Sequence, residues 1–72
     1  MAANNKKMTV YGTKEGYTVE FFKEGVTFAI VTVVFEDDDP IAEMIEGPDY
    51  LSQSEIELYL NMAKRTALMY EE

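Results

Sequence analysis

The chain has 72 residues, room for one small domain at most, and folding buries only about 60% of the surface that so short a chain exposes, so it is marginally stable unless braced. It has neither cysteine nor histidine, which excludes disulfides, thiolate-bound zinc, iron–sulfur clusters, cysteine nucleophiles, Ser-His-Asp arrangements and histidine-ligated haem, and fits a reducing, cytoplasmic setting. Six basic residues against fourteen acidic ones give a net charge of -8, which opposes nonspecific binding to nucleic acid or to anionic lipid.

Met1 to Lys7 is polar and lacks the apolar segment of a signal peptide, so it reads as a flexible tail before a single domain over 8–72. The longest apolar run, Val26 to Phe35, is half the length of a membrane-spanning helix and rich in β-branched residues, which points to a strand and to no membrane association. Lys14-Glu15-Gly16 and Lys23-Glu24-Gly25 punctuate the first half as two tight reversals, with each glycine expected at positive φ where the turn ends. The strands are then roughly Met8 to Thr13, Tyr17 to Phe22 and Val26 to Phe35, joined as a three-stranded antiparallel meander. Period-two alternation assigns Met8 and Val10, then Tyr17, Val19 and Phe21, then Val26, Phe28 and Ile30 to the core. The far half of the third strand is apolar on both faces, Val31, Val33 and Phe35 alternating with Ile30, Thr32 and Val34, which is more than one layer of helix covers.

Past the acidic run the pattern turns helical. Asp39-Pro40 is a cap followed by a first-turn proline, Ile41, Met44 and Ile45 form one apolar edge, and Gly47-Pro48 is a stop, so a short helix is expected. Ser52-Gln53-Ser54-Glu55 is a capping box flanked by Leu51 and Ile56 at the hydrophobic-staple positions, and it starts a longer C-terminal helix. Ile56, Tyr59, Leu60, Ala63, Ala67 and Tyr70 fall on one stripe at helical spacing and should cover the sheet, whereas Leu58, Met62 and Met69 fall on a second stripe. The fold class is therefore α+β, with both helices against one face of the meander.

Charge divides along the chain. Up to Phe35 four lysines stand against three glutamates; from Glu36 onward eleven acidic residues face only Lys64 and Arg65. Glu36-Asp37-Asp38-Asp39, with Glu43, Glu46 and Asp49, offers oxygen ligands suited to hard cations, but a calcium loop alternates its ligands around a central glycine, and this run does neither. No phosphate-cradling loop, nucleophile elbow or dinucleotide fingerprint is present, and a domain this small has little room for an enclosed pocket, so no catalytic residue, cofactor or metal is assigned. Among the five tyrosines, Tyr17, Tyr59 and Tyr70 belong to the core pattern, while Tyr11 and Tyr50 are free to meet a partner.

Two functions fit. The first is a non-catalytic protein-binding module that turns Glu36, Asp37, Asp38, Asp39, Glu43, Glu46, Asp49 and Tyr50 toward a basic surface of a partner, carboxylates standing in for phosphates. The second is an assembly protein that self-associates as a homodimer, either through the edge of the third strand (Val31, Val33, Phe35) or through the helical stripe Leu58, Met62 and Met69. In size, acidity, lack of cysteine and histidine, and a small sheet beside a helix, the whole chain resembles the compact proteins that bacteriophages encode against host machinery, including anti-CRISPR proteins and DNA mimics. That resemblance is one of general character, carries no functional residue across, and implies an inhibitor acting in the host-cell cytoplasm.

Overall fold

The computed structural model describes residues 7–71. Four strands, β1 (Met8–Gly12), β2 (Gly16–Lys23), β3 (Val26–Glu36) and β4 (Asp39–Glu46), precede a single helix, α1 (Gln53–Glu71). All pairings are antiparallel and the strands lie in sequence order, so β1 and β4 form the edges and β3 is interior. The class is α+β as expected, but among the described residues there are four strands in the sheet where three were expected, and one helix where two were. Of the expected tail, residues 1–6 lie outside the described residues; Lys7 is tied to the sheet, its carbonyl accepting a hydrogen bond from the Phe22 amide at 2.9 Å.

The main correction is β4, read above as a short helix. Asp37 and Asp38 take φ of 53° and 69° and form a two-residue loop between the paired Glu36 and Asp39, which turns the chain straight back along β3. Positive φ at both central residues is the mark of the type I′ hairpin turn, whose twist matches that of the strands. Glu24 and Gly25, at 54° and 80°, do the same between β2 and β3. In the strand, Pro40, Ala42 and Met44 oppose Phe35, Val33 and Val31, and Pro40 is tolerated because β4 is an edge. A bulge at Ile45 supplies the spacing that imitates a helix, because the register shifts between Val31, opposite Met44, and Ile30, opposite Glu46.

Directly opposed residues share a face. Val10, Val19, Val31 and Met44 form one row beneath α1, and Gly12, Tyr17, Val33 and Ala42 form the next. Val19, Phe21, Ala29, Val31 and Val33 are buried there with Ala63 and Ala67 of the helix, whose small side chains let α1 lie close over β3 and β4. A second bulge, between Phe21 and Phe22, corrects the expected alternation in β3. Phe28 and Ala29 both pack on the helix side, the Phe28 ring 5.6 Å from that of Tyr59, and Ile30 passes to the opposite face. Interior placement of β3 removes the edge through which that strand was expected to self-associate; Val31 and Val33 are fully buried beneath α1, whereas Ile30, Thr32 and Val34 on its other face are half-buried between the neighbouring strands.

Helix α1 starts as the capping box requires. The Glu55 amide donates to Ser52 Oγ at 3.2 Å and the Ser52 amide to Glu55 Oε1 at 2.9 Å. Ala63 and Ala67 are buried and Ile56, Tyr59 and Leu60 half-buried, as the first stripe demands, while Tyr70 sits at the rim with its ring 6.0 Å from that of Tyr17. Met62 packs on the core, and Leu58 and Met69 face outward with Arg65 between them, so the second stripe is split. Among the described residues no helix is long and apolar enough to cross a membrane.

Candidate interaction face

With α1 on one side, the other side of the sheet is left uncovered, and the register lays it out as cross-strand rows. Thr9, Glu20, Ile30 and Glu46 form the first; Tyr11, Thr18, Thr32 and Glu43 the second; Val34 and Ile41 follow, and Glu36 with Asp39 close the face. Five carboxylates from β2, β3 and β4 thus share one surface with hydroxyls and half-exposed apolar side chains. No described lysine or arginine belongs to these rows. Lys7 extends β1 opposite Phe22, one row before these, and by the parity of Thr9 stands at that end of the open face; Lys14 sits in the first loop, and Lys64 and Arg65 are on α1. Lys23 ends β2 on the helix side, its ammonium 5.0 Å from the centre of the Phe28 ring. The separation is a consequence of strand parity: Glu20 alternates with the buried Val19 and Phe21, and Glu43 with Ala42 and Met44.

Glu20 is the most constrained of the five. Its Oε1 accepts a hydrogen bond from the Tyr11 hydroxyl of β1 at 3.0 Å, and its Oε2 accepts one from the Thr27 hydroxyl of β3. The Tyr11 hydroxyl is correspondingly pushed above its ordinary pKa, first by this hydrogen bond and then by desolvation and the charge of Glu20. Beside Glu20 lies an open groove of about 500 Å³, lined by Thr27, Phe28, Ile30, Glu46 and Pro48 as well. A second open groove, of about 420 Å³, runs past Lys23, Val26 and Tyr50 near the Glu24-Gly25 turn.

The residues singled out in the sequence are dispersed by this arrangement. Glu36, Asp39, Glu43 and Glu46 share the open face, Asp37 and Asp38 form the tip of the β3–β4 turn, and Asp49 and Tyr50 lie in the loop leading to α1. Of the self-association candidates, Val31 and Val33 are buried, Phe35 is half-buried with its ring 6.3 Å from that of Tyr17, Met62 packs on the core, and Leu58 and Met69 alone are well exposed. Sequence reasoning passed over Glu20 and Thr27. Alternation in β2 did carry the signal for Glu20, a lone carboxylate between two core residues; Thr27 needed the bulge.

Among the described residues no three carboxylates converge closely enough to hold a metal ion. The face can attract cations and accept hydrogen bonds across several strands. No protein-family model matches this chain, and neither a curated protein nor a solved structure does.

Proposed function

We propose that the protein is a non-catalytic binding module that lays the open face of its sheet against a basic surface of a protein partner, and that it inhibits that partner, in the manner of phage proteins directed at host machinery, by occupying a surface that otherwise receives nucleic acid. The observation that supports this reading is the segregation of charge: Glu20, Glu36, Asp39, Glu43 and Glu46 share a face on which strand parity places one described cation, Lys7, at the end away from Glu36 and Asp39. Complementary potentials of this kind steer encounter and orientation more than they add affinity. A rigid sheet suits the task, because strand spacing holds the carboxylates in place without ordering a loop on binding.

The test is capture from the native host's lysate with the wild-type protein and with a variant carrying Glu36→Gln, Asp39→Asn and Glu43→Gln. A partner held through the face elutes as salt is raised, is displaced by nucleic acid, and is lost from the variant while the variant's melting temperature is maintained. Equal capture by both proteins, with an unchanged salt slope, moves the interface elsewhere. Self-association has less to build on, since two open faces of like charge repel; what remains is the outward Leu58 and Met69, and light scattering across a dilution series reads it directly.

A further inference from the structure

Resting on the binding reading above, we propose that the groove between Glu20 and Glu46 receives a single arginine side chain of the partner, its stem along Ile30 and its guanidinium between the two carboxylates. Four features converge there. The groove is lined by Ile30 between the carboxylates of Glu20 and Glu46, with Phe28 and Pro48 adding apolar surface to its rim. Glu20 and Glu46 lie on either side of Ile30 in one cross-strand row, two strand spacings or about 10 Å apart at the backbone. No third carboxylate joins them to hold a metal ion among the described residues, and two carboxylates reaching inward from that spacing suit a planar cation with donors on more than one edge.

Both irregularities of the sheet border this groove. The bulge between Phe21 and Phe22 carries Phe28 to the groove's end, and the bulge at Ile45 brings Glu46 opposite Ile30 and onto the open face. Bulges are enriched beside functional sites because they re-aim a side chain at the cost of ladder pairing. Finally, Glu20 is held in place by Tyr11 and Thr27, one bond to each oxygen, and each oxygen retains a second acceptor site. A carboxylate fixed before binding loses less rotamer freedom when the cation arrives. Arginine is favoured over lysine because its guanidinium is the more weakly hydrated, can form two parallel bonds to one carboxylate and can lie flat on apolar surface.

The experiment is an NMR titration of the intact ¹⁵N-labelled protein at low salt with the blocked tripeptide Leu-Arg-Leu, alongside its lysine and glutamate counterparts. Saturable shifts centred on Glu20, Thr27, Ile30, Glu46 and Gly47 are expected, with the arginine peptide the tightest binder. The pair Glu20→Gln and Glu46→Gln should weaken it roughly tenfold, a change of about 1.4 kcal/mol. The pair Asp37→Asn and Asp38→Asn should leave it within about twofold, or roughly 0.4 kcal/mol. The wild-type shift map stands without the variants if either pair fails to fold. Shifts spread over all carboxylates, or centred on the Asp37-Asp38 turn, overturn the groove assignment while leaving the acidic face as the interface. Equal affinity for lysine overturns the choice of arginine, and no shift with any cationic peptide overturns the site; the lysate experiment then decides the wider reading alone.

Discussion

Gly16 and Gly25 each follow a Lys-Glu pair, yet the fold needs them for different reasons. Gly25 has φ of 80° and open space where a Cβ would go, so its requirement is conformational; Gly16 is not left-handed, and a Cβ there would lie 2.0 Å from the Val33 carbonyl oxygen. The expectation that both glycines end a turn at positive φ therefore holds for Gly25 alone, and at Gly16 it is the Val33 carbonyl of β3 that leaves no room for a side chain. Gly25→Ala should cost about 1–2 kcal/mol through its backbone, and Gly25→Asn less, because asparagine tolerates that region. Gly16→Ala forces backbone apart and should cost about 3 kcal/mol or more, which urea unfolding of the three variants will rank. Equal losses for the two alanine variants would mean that the β2–β3 contact yields cheaply.

Glu55 sets a pH dependence at the same scale. Its hydrogen bonds with the backbone and hydroxyl of Ser52, aided by the charge of Lys23 and only partly opposed by desolvation, hold its carboxyl below the ordinary glutamate range. A group with a lowered folded pKa contributes stability that is present above its unfolded pKa and is lost as pH falls through the folded one. Helical circular dichroism and melting temperature should therefore fall on acidification below about pH 4.3, the unfolded glutamate value, and Glu55→Gln should flatten that part of the profile. An unchanged acid limb in the variant would remove the cap as its cause. Ser52→Ala tests the other half of the box and should cost about 1 kcal/mol at neutral pH.

Elements whose signal is local were legible in the sequence. The capping box declares itself in four adjacent residues because its hydrogen bonds are made within them, and β2 is marked by Val19 and Phe21 alternating with Glu20. β4 was not legible. Eight residues hold too few periods to separate 3.6 from 2, and the extra residue at Ile45 completes a helical spacing with Ile41 and Met44. The decisive cue, a hairpin turn, is disguised by aspartates where Asn-Gly would announce it. The position of Ile30 was hidden for a related reason: a bulge is a decision of pairing between strands, and no single strand carries it.

Those turn aspartates give the element-scale prediction. Both adopt positive φ with a Cβ, and they stand between two further carboxylates, Glu36 and Asp39. Asp38→Gly relieves the backbone and one like charge together, and should raise stability by about 1 kcal/mol, or about 4–8 °C in melting temperature for a domain of this size. A lower melting temperature would mean that the Asp38 side chain makes a stabilising contact in the turn. Because the turn tip lies several cross-strand rows from Glu20 and Glu46, the same change should leave peptide binding at the groove unaltered.

On the scale of the whole molecule, the chain carries a net charge of -8, and its described residues form a body of 43 × 30 × 17 Å with seven buried core residues among them. Electrostatic reach decides how that charge acts. At 0.01 M ionic strength the screening length is about 30 Å, greater than the thickness of the protein, so carboxylates on the open face repel those on α1 through and around the fold; at 1 M it is about 3 Å and only neighbours interact. Salt should therefore raise the melting temperature by relieving self-repulsion, and it should weaken association with a cationic partner by screening the attraction. The opposed signs separate this account from general salting effects, which would strengthen folding and apolar association together. Glu43→Lys places a cation among the carboxylates and should raise stability at low salt, reduce its salt dependence and weaken capture of a basic partner. A melting temperature that fell as sodium chloride was added would show attraction dominating the charge distribution, and would take away the like-charged face on which the binding proposal rests.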